Sequence, residues 1–206
     1  HDLSTSGSTS SVSQSSVSLS TSVTSTNLNP VNEDESNPTG QTVNDLFSSN
    51  YSGGATFVGV VITINSATTA QGKWQWQAAG VSDLSVWNDI DASGTLSDDN
   101  ALFLMSTTKL RFLPGSDFNG NPGILSTRLV DGGALSNGVT VDADPNGNGT
   151  IYSASTFSLG TTINAVNDAP TLDNSVSNNL NPVDEGTAAP SDRDYQSGTP
   201  ITELVT

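Results

Sequence analysis

Cysteine is absent from the 206 residues, which excludes a disulfide framework and thiol chemistry and leaves the compartment open. The only histidine is His1, at the first position, so histidine acid–base catalysis and histidine metal ligation have no basis in the sequence. Basic residues are scarce as well: five Lys and Arg stand against 21 Asp and Glu, a formal charge of -16. So negative a surface repels phosphate backbones and anionic lipid, which makes nucleic acid and membrane surfaces poor partners and divalent cations good ones. No apolar run approaches the roughly 20 residues that span a bilayer, and no signal-peptide pattern opens the sequence. The expectation is a soluble fragment without membrane insertion.

What is abundant is Ser, Thr, Asn, Gly and Asp, a composition poor in helix formers and rich in turn formers. It predicts an all-β chain. Residues 1–26 are a Ser/Thr-rich stretch read as a linker, or as an edge strand over Ser16 to Thr24, where Val17, Leu19 and Val23 share one parity. Thr42 to Phe47 reads as a short helical turn or a strand. Thr56 to Asn65 is a strong strand with Val58, Val60, Ile62 and Ile64 on one face. Lys73 to Gln77 alternates cleanly, placing Trp74 and Trp76 on one side.

Further strands are expected at Ser85 to Ile90, Ala101 to Met105, Leu110 to Leu113, Ile124 to Val130, Gly138 to Val141 and Ile151 to Leu159. Leu110 and Phe112 should point inward, with Lys109 and Arg111 outward. Short strands separated by Gly, Asn and Asp turns read as a β-sandwich.

The stretch I-N-A-V-N-D-A-P-T-L, Ile163 to Leu172, reads as a last strand running into a stiff joint, because Pro170 forbids continuing the ladder. Asn167 and Asp168 place oxygen ligands at that joint, suited to a hard cation such as calcium. The chain also repeats itself. Asn27-Leu28-Asn29-Pro30-Val31-Asn32-Glu33 recurs as Asn179-Leu180-Asn181-Pro182-Val183-Asp184-Glu185, and T-V-N-D-L-F at 42–47 is echoed at 200–205. One complete unit at 27–172 and the opening of a second at 173–206 are expected.

These motifs, with the ordered run G-K-W-Q-W-Q, W-N-D-I, A-L-F-L, L-R-F-L-P, D-F-N-G-N-P, R-L-V-D and V-N-D-A-P, resemble the cadherin-like tandem repeats of giant bacterial surface adhesins of the RTX type. The resemblance covers about residues 27 to 206. It implies an Ig-like or cadherin-like β-sandwich with the start of a second repeat, outside the cell after type I secretion, in a protein serving cell adhesion or biofilm formation. It also implies calcium at the joints between neighbouring repeats, and a possible place as the module into which a ligand-binding domain is inserted. The residues matching the family's calcium positions are Glu33 or Glu35, Asn167 and Asp168, with Asp184 and Glu185 across the boundary and Asp131 as a companion.

Three other constellations stand in the sequence. Asp142, Asp144 and Asn146 open an EF-hand-like D-x-D-x-N-G loop, but Ser153 stands where a bidentate glutamate belongs and no helices flank it; a hairpin loop is the simpler reading, with a weak calcium site as the alternative. Trp74, Trp76 and Trp87 would make a sugar-stacking platform if exposed, yet Trp74 and Trp76 share a strand face opposite Lys and Gln, and core packing is the expected reading. No serine has a base beside it and no carboxylate pair is singled out, so an enzyme is not expected. A carbohydrate- or peptide-binding module is the rival function, and pairing of exposed edge strands would give a homodimer.

Overall fold

The fold is known from a computed structural model, which describes residues 18–19 (backbone only), 24–81, 86–92 and 94–170. The β-branched and aromatic runs form short strands, and the Gly, Asn and Asp clusters separate them. In chain order these are β1 Ser18–Leu19, β2 Ser25–Asn27, β3 Val31–Asn32, β4 Gln41–Thr42, helix α1 Val43–Phe47, β5 Tyr51–Ser52, β6 Phe57–Asn65 and β7 Gly72–Gln77. They continue as β8 Asn88–Asp89, β9 Ala101–Met105, β10 Lys109–Pro114, β11 Leu125–Asp131, β12 Thr140–Val141, β13 Phe157–Gly160 and β14 Ile163–Asn164. The chain is all-β in character, with one short α-helix and one 3-10 turn among the described residues.

Two sheets dominate. One has six strands in the order β12-β9-β6-β11-β13-β2, the other four in the order β4-β10-β7-β8. Pairing is antiparallel except at β2 with β13 and at β3 with β14, which run parallel. The main core cluster draws Val60, Ile62, Leu104, Leu129 and Phe157 from the six-stranded sheet and Trp74, Leu110 and Phe112 from the four-stranded one. Each such side chain removed from water contributes about 1.5–3 kcal/mol. A smaller cluster of Val61, Ala101, Phe103, Val130 and Ala143 covers part of the other face of the large sheet.

The single apolar face expected for β6 is interrupted twice. Register against β11 shifts between Ser126 and Thr127 and again between Val130 and Asp131, so Thr63 and Val58 are the unmatched residues of two bulges. A bulge adds one residue and reverses parity beyond it. Val60 and Ile62 therefore stay in the main core, Val58 packs with the second cluster, and Ile64 is turned out, 49% exposed. Gly59 is needed where it stands, because a Cβ there would run into the backbone carbonyl of Leu104 on the neighbouring strand.

The 42–47 segment resolves as a helix, and its first turn explains why. Thr42 Oγ1 accepts the Asp45 backbone N–H at 3.1 Å and Asp45 Oδ2 accepts the Thr42 N–H at 3.4 Å, a reciprocal cap that closes the helix start. The helix buries Val43, Leu46 and Phe47, and Phe47 meets Phe157 edge to face at 5.4 Å.

Several expected strands are shorter than the apolar pattern. The run from Ile151 makes an isolated bridge from Tyr152 to Val130 and then pairs as β13 from Phe157, Gly138 to Val141 contributes only Thr140–Val141, and Ser85 to Ile90 contributes Asn88–Asp89, with 82–85 outside the described residues. Most of the edge strand read at Ser16 to Thr24 also lies outside them; Ser18–Leu19 pairs with Tyr51–Ser52. The ladder read through Ala165 ends at Asn164, and Ala165 is exposed. The chain divides into two compact units, His1–Val166 and Asn167–Thr206. Of the second, only residues 167–170 are described.

Candidate functional site

Three segments meet where the first unit ends. The parallel pair sets Val31 beside Ile163 and Asn32 beside Asn164, and Gly120 exchanges backbone hydrogen bonds with Ile163 at 2.9 and 2.8 Å. Glu33 closes the junction. Its backbone N–H donates to Asn164 O at 2.9 Å, while its buried carboxylate accepts the Val166 N–H at 2.5 Å and the Asn119 side-chain N–H at 3.0 Å. The carboxylate thus satisfies a backbone donor that no strand partner reaches.

Beside this clamp the chain turns twice through the left-handed region without glycine, at Asp34 with φ 65° and Asp117 with φ 56°. Aspartate tolerates that conformation better than most residues. Both side chains are exposed, and a carboxylate oxygen of one lies within 4.8 Å of a carboxylate oxygen of the other. Two like charges at that separation repel by about 1 kcal/mol even in full water dielectric. Neither enters an ion pair among the described residues. Glu35, the next residue, is exposed, its N–H donating to Asn32 O at 3.3 Å. Asp34 and Asp117 were not singled out by the sequence reading; the available signal was the acidic turn E-D-E and the D-F-N-G turn, separated by about eighty residues of chain.

The remaining candidate ligands fare differently. Asn167 and Asp168 open the second unit, where Asn167 Nδ2 donates to Asp168 O at 3.4 Å. Asp184 and Glu185 lie outside the described residues. Asp131 is buried and committed: Oδ1 accepts the Tyr51 hydroxyl and the Ala55 N–H at 2.9 Å, and Oδ2 accepts the Gly54 N–H at 3.1 Å. Burial, and then the hydrogen bond and charge of Asp131, push the Tyr51 phenol well above its ordinary value. This carboxylate ties the 51–55 turn to the end of β11.

In the 142–149 loop, Asp142 Oδ1 accepts the Asp144 N–H at 2.9 Å. Ala143 between them is fully buried and the loop closes through Gly147 N–H to Tyr152 O at 2.9 Å. That is turn geometry, and among the described residues no group of three acidic side chains gathers there. Burial first, and Asp142 second, raise the Tyr152 phenol. Asn146 is half-buried.

The tryptophans offer no open platform. Trp74 is buried, donates Nε1–H to Gly123 O at 2.8 Å and meets Phe112 edge to face at 5.2 Å. Trp76 packs half-buried on the main core. Trp87, also half-buried, has the Arg111 guanidinium 4.0 Å from its ring centroid.

Arg111 corrects the sequence reading. It points away from the core, as the alternation requires, yet is only 5% exposed. Nε donates to Gln75 Oε1 at 2.8 Å, and Nη1 donates to Asn37 Oδ1 at 2.7 Å and Pro38 O at 3.1 Å. The 37–40 turn and Trp87 cover the outer face of the four-stranded sheet, and Gly40, at φ 69°, lets the turn approach: a Cβ there would sit 2.5 Å from Leu110 O. Arg111 lines a cavity of ≈ 280 Å³ together with Pro30, Asn37, Pro38 and Gln41.

The described residues define an all-β protein with an acidic turn pair at the end of its first unit and an arginine-lined cavity on one sheet. Searches against protein-family models, characterised proteins and solved structures find no significant match to this chain.

Proposed function

We propose that this chain is a non-catalytic structural and presenting module of a secreted, calcium-dependent bacterial adhesin. In this reading it is an Ig-like or cadherin-like β-sandwich repeat, outside the cell, whose joint to the next repeat is stiffened by calcium. The observation that carries the reading is the uncompensated Asp34–Asp117 pair next to the Glu33 clamp, at the last residues of the first unit. Bringing two carboxylates together costs stability unless a cation offsets the repulsion.

Calcium takes six to eight oxygens at 2.3–2.6 Å, on the order of two or three carboxylates with carbonyls and water. Asp34 and Asp117 supply two. Glu35, the next residue after Asp34, is a further carboxylate donor of the same unit, with backbone carbonyls and water completing the set. Asp131 is left out, because its oxygens already accept three hydrogen bonds. The sandwich reading is supported by a main core to which both large sheets contribute.

Mechanically, a cation at this position neutralises the turn, holds the exit of the chain at one angle and makes a string of repeats resist bending. The deciding experiment is calorimetric melting of the 206-residue chain with calcium added and with EDTA. The reading expects a calcium-dependent rise in melting temperature that disappears in the double variant Asp34→Asn, Asp117→Asn. A melting curve indifferent to millimolar calcium overturns it.

A further inference from the structure

The two described arginines are held in opposite ways. Arg128 is buried at the side of β11 and meets Asp98 through two hydrogen bonds, Nε to Oδ1 at 2.7 Å and Nη2 to Oδ2 at 2.8 Å. Its Nη1 donates to Ser153 O at 3.1 Å and Ala154 O at 2.5 Å. Arg111 is as deeply buried, yet all its protein acceptors are neutral: two amide side chains and one backbone carbonyl. In a chain with 21 acidic residues, the buried guanidinium that lines a cavity is the one without a carboxylate.

Donor arithmetic locates the vacancy in its bonding. A guanidinium carries five N–H groups. Nε uses one on Gln75 and Nη1 uses two, on Asn37 and Pro38; both N–H groups of Nη2 have no acceptor among the described residues. No side-chain nitrogen or oxygen that is fully enclosed lacks a partner among the described residues, so Nη2 is not fully enclosed, and Arg111 is one of the residues that line the cavity. The wall adds Asn37 and Gln41, whose oxygens are taken by Arg111 and by the Asn29 N–H at 2.6 Å, leaving their amide N–H groups as donors. Pro30 and Pro38 supply apolar surface.

We propose that this cavity binds a small carboxylate of about monosaccharide size, with the carboxyl group on Nη2 of Arg111 and its polar body against the amide donors of Asn37 and Gln41. A charge-assisted bond to a guanidinium is about twice as strong as a neutral one, and the shielded setting strengthens it further. Trp87 on the guanidinium face fixes its plane. Glu35, an exposed residue, is the one acidic side chain of the lining. Its charge disfavours doubly charged anions, so a monocarboxylate is selected over sulfate.

The test titrates the whole chain, in EDTA so that calcium plays no part, with glucuronate, N-acetylglycine, glucose and sulfate. The readouts are calorimetry and the NMR signal of the Arg111 Nε–H. The expected result is a saturable shift of that signal with at least one of the two carboxylates. Preference for glucuronate identifies an acidic sugar as the source of the carboxylate, and preference for N-acetylglycine a peptide end. Affinity should fall by about tenfold or more in Arg111→Gln, and also in Arg111→Lys, which keeps the charge and loses the planar fork. Absence of a saturable shift with both carboxylates in the unaltered protein overturns the proposal, whatever the variants do. Equal binding of glucose or of sulfate overturns it too.

Discussion

Glu33 and Val166 stand 133 positions apart in the sequence, and the side chain of the first accepts the backbone N–H of the second at 2.5 Å. The bond joins the residue that follows β3 to the last residue of the first unit. Replacing Glu33 by Ala removes both hydrogen bonds, and because Asn119 and Val166 are themselves exposed, water takes up the freed donors. The loss is then the net worth of the bonds, about 0.5–1.5 kcal/mol each, which for a chain of this size lowers the melting temperature by about 2–4 °C per kcal/mol. Glu33→Gln keeps one carbonyl acceptor and should lose roughly half as much. Calorimetry on the two variants separates this clamp from a surface acid, for which both changes would be silent.

Asp34 and Asp117 predict an inversion of sign. Without calcium, Asp34→Asn or Asp117→Asn removes a repulsion of about 1 kcal/mol and should leave the melting temperature unchanged or slightly raised. With millimolar calcium, the same variants should melt below the unaltered chain, because the cation stabilises only the form that holds it. Thermal melts in EDTA and in calcium check this directly; variants that shift equally in both buffers would show that the two carboxylates act through something other than a bound cation.

Local chemistry was legible in the sequence and long-range correction was not. Alternation in Lys73 to Gln77 gave the buried face of Trp74 because an unbroken strand obeys a period of two. The same rule over Thr56 to Asn65 misassigned Val58 and Ile64, since the bulges at Val58 and Thr63 arise from pairing with β11, which no local window contains. Arg111 was placed on the correct side of β10 and expected in water; what buries it is a turn about seventy residues earlier in the chain. Asn167, Asp168 and the E-D-E turn were read as a joint from local sequence alone, whereas Asp117, which comes beside Asp34 where Gly120 bridges to Ile163, carried no local signal of that neighbour. Glu33 was read as a candidate ligand, and in the structure its oxygens accept protein N–H groups.

Tyr51 and Asp131 predict alkaline behaviour. The Tyr51 phenol is raised above its ordinary value by burial, reinforced by Asp131. The folded protein therefore holds this proton more tightly than the unfolded chain. Its stabilising contribution is complete below the unfolded value of about 10 and is lost as pH rises beyond it. Tyr51→Phe should be less stable at neutral pH by about 0.5–1.5 kcal/mol, one hydrogen bond, and the gap from the unaltered protein should narrow above about pH 10. Urea midpoints at pH 7 and pH 11 measure it; a gap that stays constant would mean the hydroxyl proton does not differ between the two states.

Asp98 and Arg128 predict the acid counterpart. The two hydrogen bonds from Arg128 hold the Asp98 carboxyl below the usual carboxylate range, and the same contacts raise the guanidinium, which does not titrate in the accessible range. Below the ordinary aspartate value of about 3.9 the unfolded chain binds the proton first, so stability rises with pH through this window. It is present above about pH 4 and is lost as pH falls through the depressed folded value. Because the Asp98 side chain is 37% exposed and that of Arg128 9%, water partly replaces the pair when it is broken. Asp98→Asn should therefore cost about 1.5 kcal/mol, the low end for a bond to a charged group. Arg128→Met should cost more, since it strands the carbonyls of Ser153 and Ala154 as well as the carboxylate. The decisive comparison is the urea midpoint of the unaltered chain and of Asp98→Asn from pH 7 down to pH 2. The two should converge in acid, and parallel curves would mean the pair contributes nothing through its charge.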